Sequence, residues 1–195
     1  MIKKLGLYLS VVFLLVGCGT IPNQSSVKKL KTKVDDQKSV VLFSTVSQSG
    51  CTQGTSILQA WKDNEGPSYG SSKARADGWA HGINPYIQSD FDDREGLLNA
   101  IKLDEGKYYF HHATVAPFKT VTEFTAVEFS VLKNEVVYIG EYYFPTCNSY
   151  VLNDEYERDL ARAIELNPKF DFSNMKKRIM TIGEKITMPI GGEVK

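Results

Sequence analysis

The chain has 195 residues, with 23 lysines and arginines against 23 aspartates and glutamates, three histidines and three cysteines. Balanced charge excludes the basic footprint of a nucleic-acid binder and gives no attraction toward an acidic substrate. The length allows one domain with a sizeable core.

Residues 1–17 carry Lys3 and Lys4, then an uncharged apolar stretch of 12 residues from position 5 to 16. A helix crossing a bilayer needs about 20 apolar residues, so the segment predicts an export signal rather than a permanent span. It ends in Leu15-Val16-Gly17-Cys18, which resembles the lipobox of bacterial lipoproteins. The resemblance implies that the Cys18 thiol is alkylated with diacylglycerol and that the signal is cut just before it. Each buried methylene of such an anchor contributes about 0.8 kcal/mol, so several acyl chains hold where one would exchange. Gly19 is not the Asp that retains lipoproteins at the inner membrane. The resemblance therefore implies a cell-envelope protein of the outer membrane in a Gram-negative source, or of the plasma membrane in a Gram-positive one. The competing reading is a conventional secretory signal that happens to carry a cysteine.

Removing 17 residues leaves 178, with 21 basic against 23 acidic residues. Residues 18–37 read as the lipidated cysteine and a flexible tether, because GTIPNQSSVKKLKTKVDDQ buries too little apolar surface to offset its ordering entropy. Such a tether has an end-to-end distance of about 25 Å. Lys28, Lys29, Lys31 and Lys33 read as a solvated charge run, with anionic head groups as the other possible contact. Residues 38–195 form the single predicted domain. Cys51 and Cys147 remain as an even pair in an exported domain, which predicts a disulfide between them. Each follows an apolar run, so the bridge would tie two strand ends.

Strands are predicted at 39–46, 54–61, 97–103 and 106–115 from β-branched and aromatic content. Residues 122–132 and 135–144, separated by Lys133-Asn134, predict an antiparallel hairpin. In the first, Val127, Phe129 and Val131 share one face and Ala126, Glu128 and Ser130 the other. In the second both faces are apolar: Val136, Tyr138 and Phe144 on one, Val137, Ile139 and Tyr143 on the other. That strand should be central and covered on both sides. Helical periodicity appears at 154–166, with Tyr156, Leu160, Ala163 and Ile164 on one stripe and Asn167-Pro168 ending it. A second short helix is expected after Ser173, through Met175, Ile179 and Met180. The fold class is therefore mainly β: an antiparallel β-sandwich with one or two C-terminal helices packed on it.

Leu103-Asp104-Glu105-Gly106-Lys107-Tyr108 gives L-x-x-G-x-Y, a turn and strand that resemble those of prealbumin-like sandwich domains. With Val137-Tyr138-Ile139-Gly140 and the acidic-capped helix, the chain is similar to several uncharacterised families of bacterial envelope lipoproteins. The resemblance implies a sandwich on a lipid anchor and brings no active site with it.

Residues 64–93 are irregular and Gly-, Ser- and Asp-rich, yet hold Tyr69, Trp79, His81 and Tyr86. Long loops in compact domains are often functional, so these four residues form the candidate binding loop. The alternative is that Trp79 and Tyr86 only staple the loop to the sandwich. His111 and His112 are neighbours on a strand and point to opposite faces, a poor geometry for sharing one ion. Asp90, Asp92, Asp93 and Glu95 could ligate calcium but lack an EF-hand's spacing, and a solvated turn is the simpler reading. Nucleophile elbows, phosphate loops and H-E-x-x-H are absent. Asp154 and Asp159 are expected on an exposed helix face, a poor place for a general acid.

Sequence alone thus favours a non-enzymatic, membrane-anchored binding or structural module. It expects no metal or cofactor, no nucleic acid, and an envelope protein as partner. The alternative is a hydrolase or metal-binding protein built from His81, a strand histidine and the 64–93 loop.

Overall fold

The computed structural model describes residues 25–31, 38–48, 55–62, 78–81, 87–115, 123–146 and 149–187. Among the described residues, ten strands and one α-helix follow in chain order: β1 (Ser39–Ser47), β2 (Thr55–Lys62), β3 (Gly78–His81), β4 (Glu95–Leu103), β5 (Gly106–Val115), β6 (Glu123–Val131), β7 (Val136–Thr146), β8 (Ser149–Asn153), α1 (Tyr156–Leu166), β9 (Lys176–Lys177) and β10 (Thr181–Thr187). The strands form two sheets. Sheet A has the order β4-β1-β7-β8, with β9 added along β7, and sheet B has the order β10-β6-β5-β2-β3. The fold is the mainly β, two-sheet arrangement that the sequence predicts.

Sheet B is antiparallel in every pair. Sheet A is mixed, because β1 and β9 both run parallel to β7. The run Ser39–Ser47 holds Val40, Val41, Phe43, Thr45 and Val46 and is buried along both faces, which suits a central strand. Val41 and Phe43 point into the core between the sheets, where they meet Leu58, Phe110, Val127 and Phe129 of sheet B. Val40, Leu42 and Val46 point the other way, into a second cluster with Ala163, Phe170, Phe172 and Met175.

β7 is central and covered on both faces, as its composition demands. A bulge changes which side chains lie where. Leu42 pairs with Tyr138 and Ser44 with Glu141, so β7 spends one residue more than β1 across this interval. Gly140 absorbs it at φ +112°, and a Cβ there would also stand 3.0 Å from the Asn153 carbonyl. Val137, Ile139, Tyr142 and Phe144 therefore face the inter-sheet core, while Val136, Tyr138 and Tyr143 lie toward the helix. The period-2 assignment of Phe144 and Tyr143 is reversed for this reason.

The predicted 122–132/135–144 hairpin does not form. β6 lies in sheet B and β7 in sheet A, and Lys133-Asn134 is a corner between the sheets, with Asn134 at φ 56°. Polar contacts hold it. Ser39 Oγ donates to the Leu132 carbonyl at 2.6 Å, and Arg178 grips Glu135 through two guanidinium nitrogens at 2.7 and 3.2 Å. β6 pairs instead with β5 and β10.

The helix at α1 forms as predicted, but no second helix follows Ser173. Residues 176–180 run extended beside β7, with the Arg178 and Met180 amides donating to the Tyr138 and Ile139 carbonyls, before the chain crosses to sheet B as β10. Met175 and Met180 are buried, as a helix would bury them, but through this crossing.

The expected solvated tether is packed over residues 25–31. Val27 is fully buried and starts a single 3-10 turn capped by Ser26. The Ala100 amide donates to the Ser25 carbonyl at 2.6 Å, and Ser25 Oγ donates to Asn99 at 2.9 Å. Asn167 Nδ2 donates to the carbonyls of both Val27 and Leu30, each at 3.0 Å. Lys28, expected in a solvated run, reaches buried Asp90 at 2.9 Å. Burial of one valine stabilises by about 1.5–3 kcal/mol, and the polar contacts supply what composition alone did not promise.

Candidate functional site

Chemistry-bearing side chains gather beneath α1, against the outer face of sheet A. β1 contributes Ser44, β7 contributes Tyr138 and, just past the bulge, Glu141, and α1 contributes Arg158 and Asp159. Asp159 is fully buried and Glu141 nearly so. Ser44 Oγ and Tyr138 Oη both donate to Asp159 Oδ2, at 2.6 and 2.8 Å. Arg158 Nε donates to Asp159 Oδ1 at 2.8 Å, and Nη2 donates to Glu141 Oε2 at 2.6 Å. Asn153 Nδ2 donates to Glu141 Oε1 at 2.9 Å. All four carboxylate oxygens are thus satisfied.

Two carboxylates share one guanidinium in a largely dry layer, an expensive arrangement unless every lone pair is met. Burial raises the Asp159 carboxyl above its ordinary 3.8, although Ser44, Arg158 and Tyr138 pull it back. Burial, then the Asp159 charge, pushes the Tyr138 phenol far up, which keeps it a proton donor. Arg158 stacks over the Phe91 ring at 4.9 Å, and its Nη1 is the buried side-chain nitrogen or oxygen without a hydrogen bond among the described residues. Glu155 Oε2 lies 3.8 Å from it. The layer works as a hydrogen-bonded clamp between helix and sheet.

A third buried acid lies at the helix's far end. Asp90 accepts from the Leu98 amide at 3.0 Å and pairs with Lys28, and Arg162 donates through Nε to the Asp90 carbonyl. Asp90 is therefore part of a latch on residues 25–31, which corrects the solvated-turn reading of this acidic cluster. Asp92 and Asp93 stay at the surface beside Arg162 and Arg94. On sheet B, an open cleft of about 280 Å³ is lined by Lys107, Glu128, Ser130, Arg178 and Thr181. Arg178 is already committed there to Glu135 and the Ser130 carbonyl.

The residues singled out from sequence are placed unevenly. Cys18, Cys51, Cys147, Tyr69 and Tyr86 lie outside the described residues. The backbones of Trp79 and His81 belong to β3, an edge strand of sheet B, where His81 sits opposite Ile57 and Trp79 opposite Gln59. His111 and His112 sit opposite Gln59 and Leu58 on the other side of β2. The polar layer was missed because Asp159 was assigned to an exposed face. The signal was present: position 159 lies three after Tyr156 and four before Ala163, on the same stripe, while Ile164 is 49% exposed. Glu141, a lone acid after a glycine in an otherwise apolar strand, was the other clue.

Comparison with known proteins gives no match to any family model, any curated protein or any solved structure.

Proposed function

We propose that the chain is a lipid-anchored protein of the bacterial cell envelope whose sandwich is a non-enzymatic binding or structural module. The observation that carries this reading is Leu15-Val16-Gly17-Cys18, placed after two lysines and a 12-residue apolar stretch. In this reading Cys18 carries the diacylglycerol and Gly19 sends the protein to the outer membrane of a Gram-negative cell. The polar layer under α1 supports the scaffold half of the proposal, because its acids and hydroxyls bond to one another. The partner is another envelope protein, met by the edge of sheet B that holds Trp79 and His81.

The proposed Cys51–Cys147 bridge belongs to the same export reading. β1 and β7 run parallel, and Ser47 and Phe144, paired at one end of sheet A, come four and three residues before the two cysteines in sequence. The alternative of a metal or hydrolase site has one supporting observation. Only β2 separates the backbone of His81 from those of His111 and His112, a gap of about 10 Å.

Growth with labelled palmitate tests the anchor. The native chain should carry label on the processed protein, and Cys18→Ala should accumulate as an unlabelled precursor. An unlabelled native chain with a free N-terminal thiol overturns the reading.

A further inference from the structure

The packing of residues 25–31 fixes where the leash begins. With Ser25 bonded to β4 through Asn99 and Ala100, Val27 buried, and Asn167 holding two carbonyls, the chain is already held to the domain at position 25, ahead of the expected start at 38. Between Cys18 and Ser25 there are seven peptide links. Fully extended, they reach at most about 25 Å. Were the segment undocked, the leash would run from Cys18 to Ser39, 21 links with an extended reach of about 75 Å.

We infer that residues 25–31 are a strap that shortens the leash and holds the sandwich close against the lipid surface, with the edge formed by β4, residues 87–94 and the C-terminal end of α1 turned toward the bilayer. This rests on lipidation of Cys18, as proposed above. The strap's contacts name that edge: Asn99 and Ala100 belong to β4, Asp90 to residues 87–94, and Asn167 follows α1. The occupant of this side is the membrane itself, because seven links hold Ser25 within about 25 Å of the acylated residue.

Neutron reflectometry of the mature lipidated protein on a supported phosphatidylcholine bilayer tests this directly. Two variants release the strap: Asn167→Ala, and replacement of residues 25–31 by a Gly/Ser segment of equal length, which keeps the chain contour unchanged. Circular dichroism confirms that each retains the β fold. The native layer should sit nearest the bilayer, and the replacement should move the protein's centre outward by about 10 Å, with Asn167→Ala in between. Equal heights for native and replaced protein, with both bound, would overturn the strap and leave the anchor standing. A native protein that carries no acyl chains and does not bind the bilayer would overturn the anchor reading and this inference with it.

Discussion

Sheet A shows its two faces to different solvents. Toward sheet B it presents Val41, Phe43, Ile101, Val137, Ile139, Tyr142 and Phe144, and the rings pack tightly, with Phe110 4.9 Å from Phe43 and 4.7 Å from Phe129. Toward the helix it presents Val40, Leu42, Leu98 and Val136, but also Ser44 and Glu141. Apolar burial is non-directional and tolerates several arrangements of similar area. Directional bonds do not. α1 has 11 residues and would be marginal alone, and its position is set by four carboxylate oxygens that find partners in one placement. The apolar face supplies stability, and the polar face decides where the helix and strap dock.

Phe110→Ala should produce the largest loss. It removes a fully buried ring with three aromatic neighbours and should cost about 4 kcal/mol, read as a fall in the urea midpoint of the whole domain. A loss below about 1 kcal/mol would mean that the two sheets are not packed as described. Asp159→Ala should come second, at about 3 kcal/mol. It strands the Ser44 and Tyr138 hydroxyls, but Arg158 keeps Glu141, which places the cost at the low end for a broken buried pair. The difference between faces should show in hydrogen exchange: Asp159→Ala speeds exchange in α1 and residues 25–31 more than in β5, whereas Phe110→Ala speeds all of them together.

What could be read from the chain beforehand follows the same division. β1 and β7 announced themselves through runs with both faces apolar, since such runs need a central place. The core face of β6 also followed period two, with Val127, Phe129 and Val131 all buried, while on the face expected to be wet Glu128 is exposed and Ala126 is buried. The period failed after Gly140, because one extra residue in a bulge inverts every later side chain and leaves no mark in composition. β3 is four residues of edge strand in a Gly-rich stretch, too short for alternation to show. Residues 173–180 matched a helical spacing of Met175, Ile179 and Met180, but β7 had an open edge there, and pairing with it satisfied the backbone instead. Asp159 was illegible for a chemical reason. An acid is assigned to water until its partners are known, and the hydroxyls of Ser44 and Tyr138 lie 115 and 21 positions away.

The smallest predicted effect separates buried from exposed acid by the sign of its pH dependence. Burial leads the upward shift of Asp159, so between the ordinary value of 3.8 and its raised native value the folded chain binds more protons than the unfolded one. Stability contributed by this group therefore rises as pH falls through that window. At the surface, the Lys177 ammonium, 2.8 Å from Asp154, holds that carboxyl below 3.8, so its contribution is complete above 3.8 and is lost as pH falls further. Urea midpoints of native protein, Asp159→Asn and Asp154→Asn at about pH 7, 4 and 2 should show this. From about 7 to 4 the native chain should gain on Asp159→Asn, and from about 4 to 2 it should lose its advantage over Asp154→Asn. If the native chain instead loses ground to Asp159→Asn in the upper window, the bonds from Ser44, Tyr138 and Arg158 outweigh desolvation, and the layer beneath the helix is governed by hydrogen bonding rather than by burial.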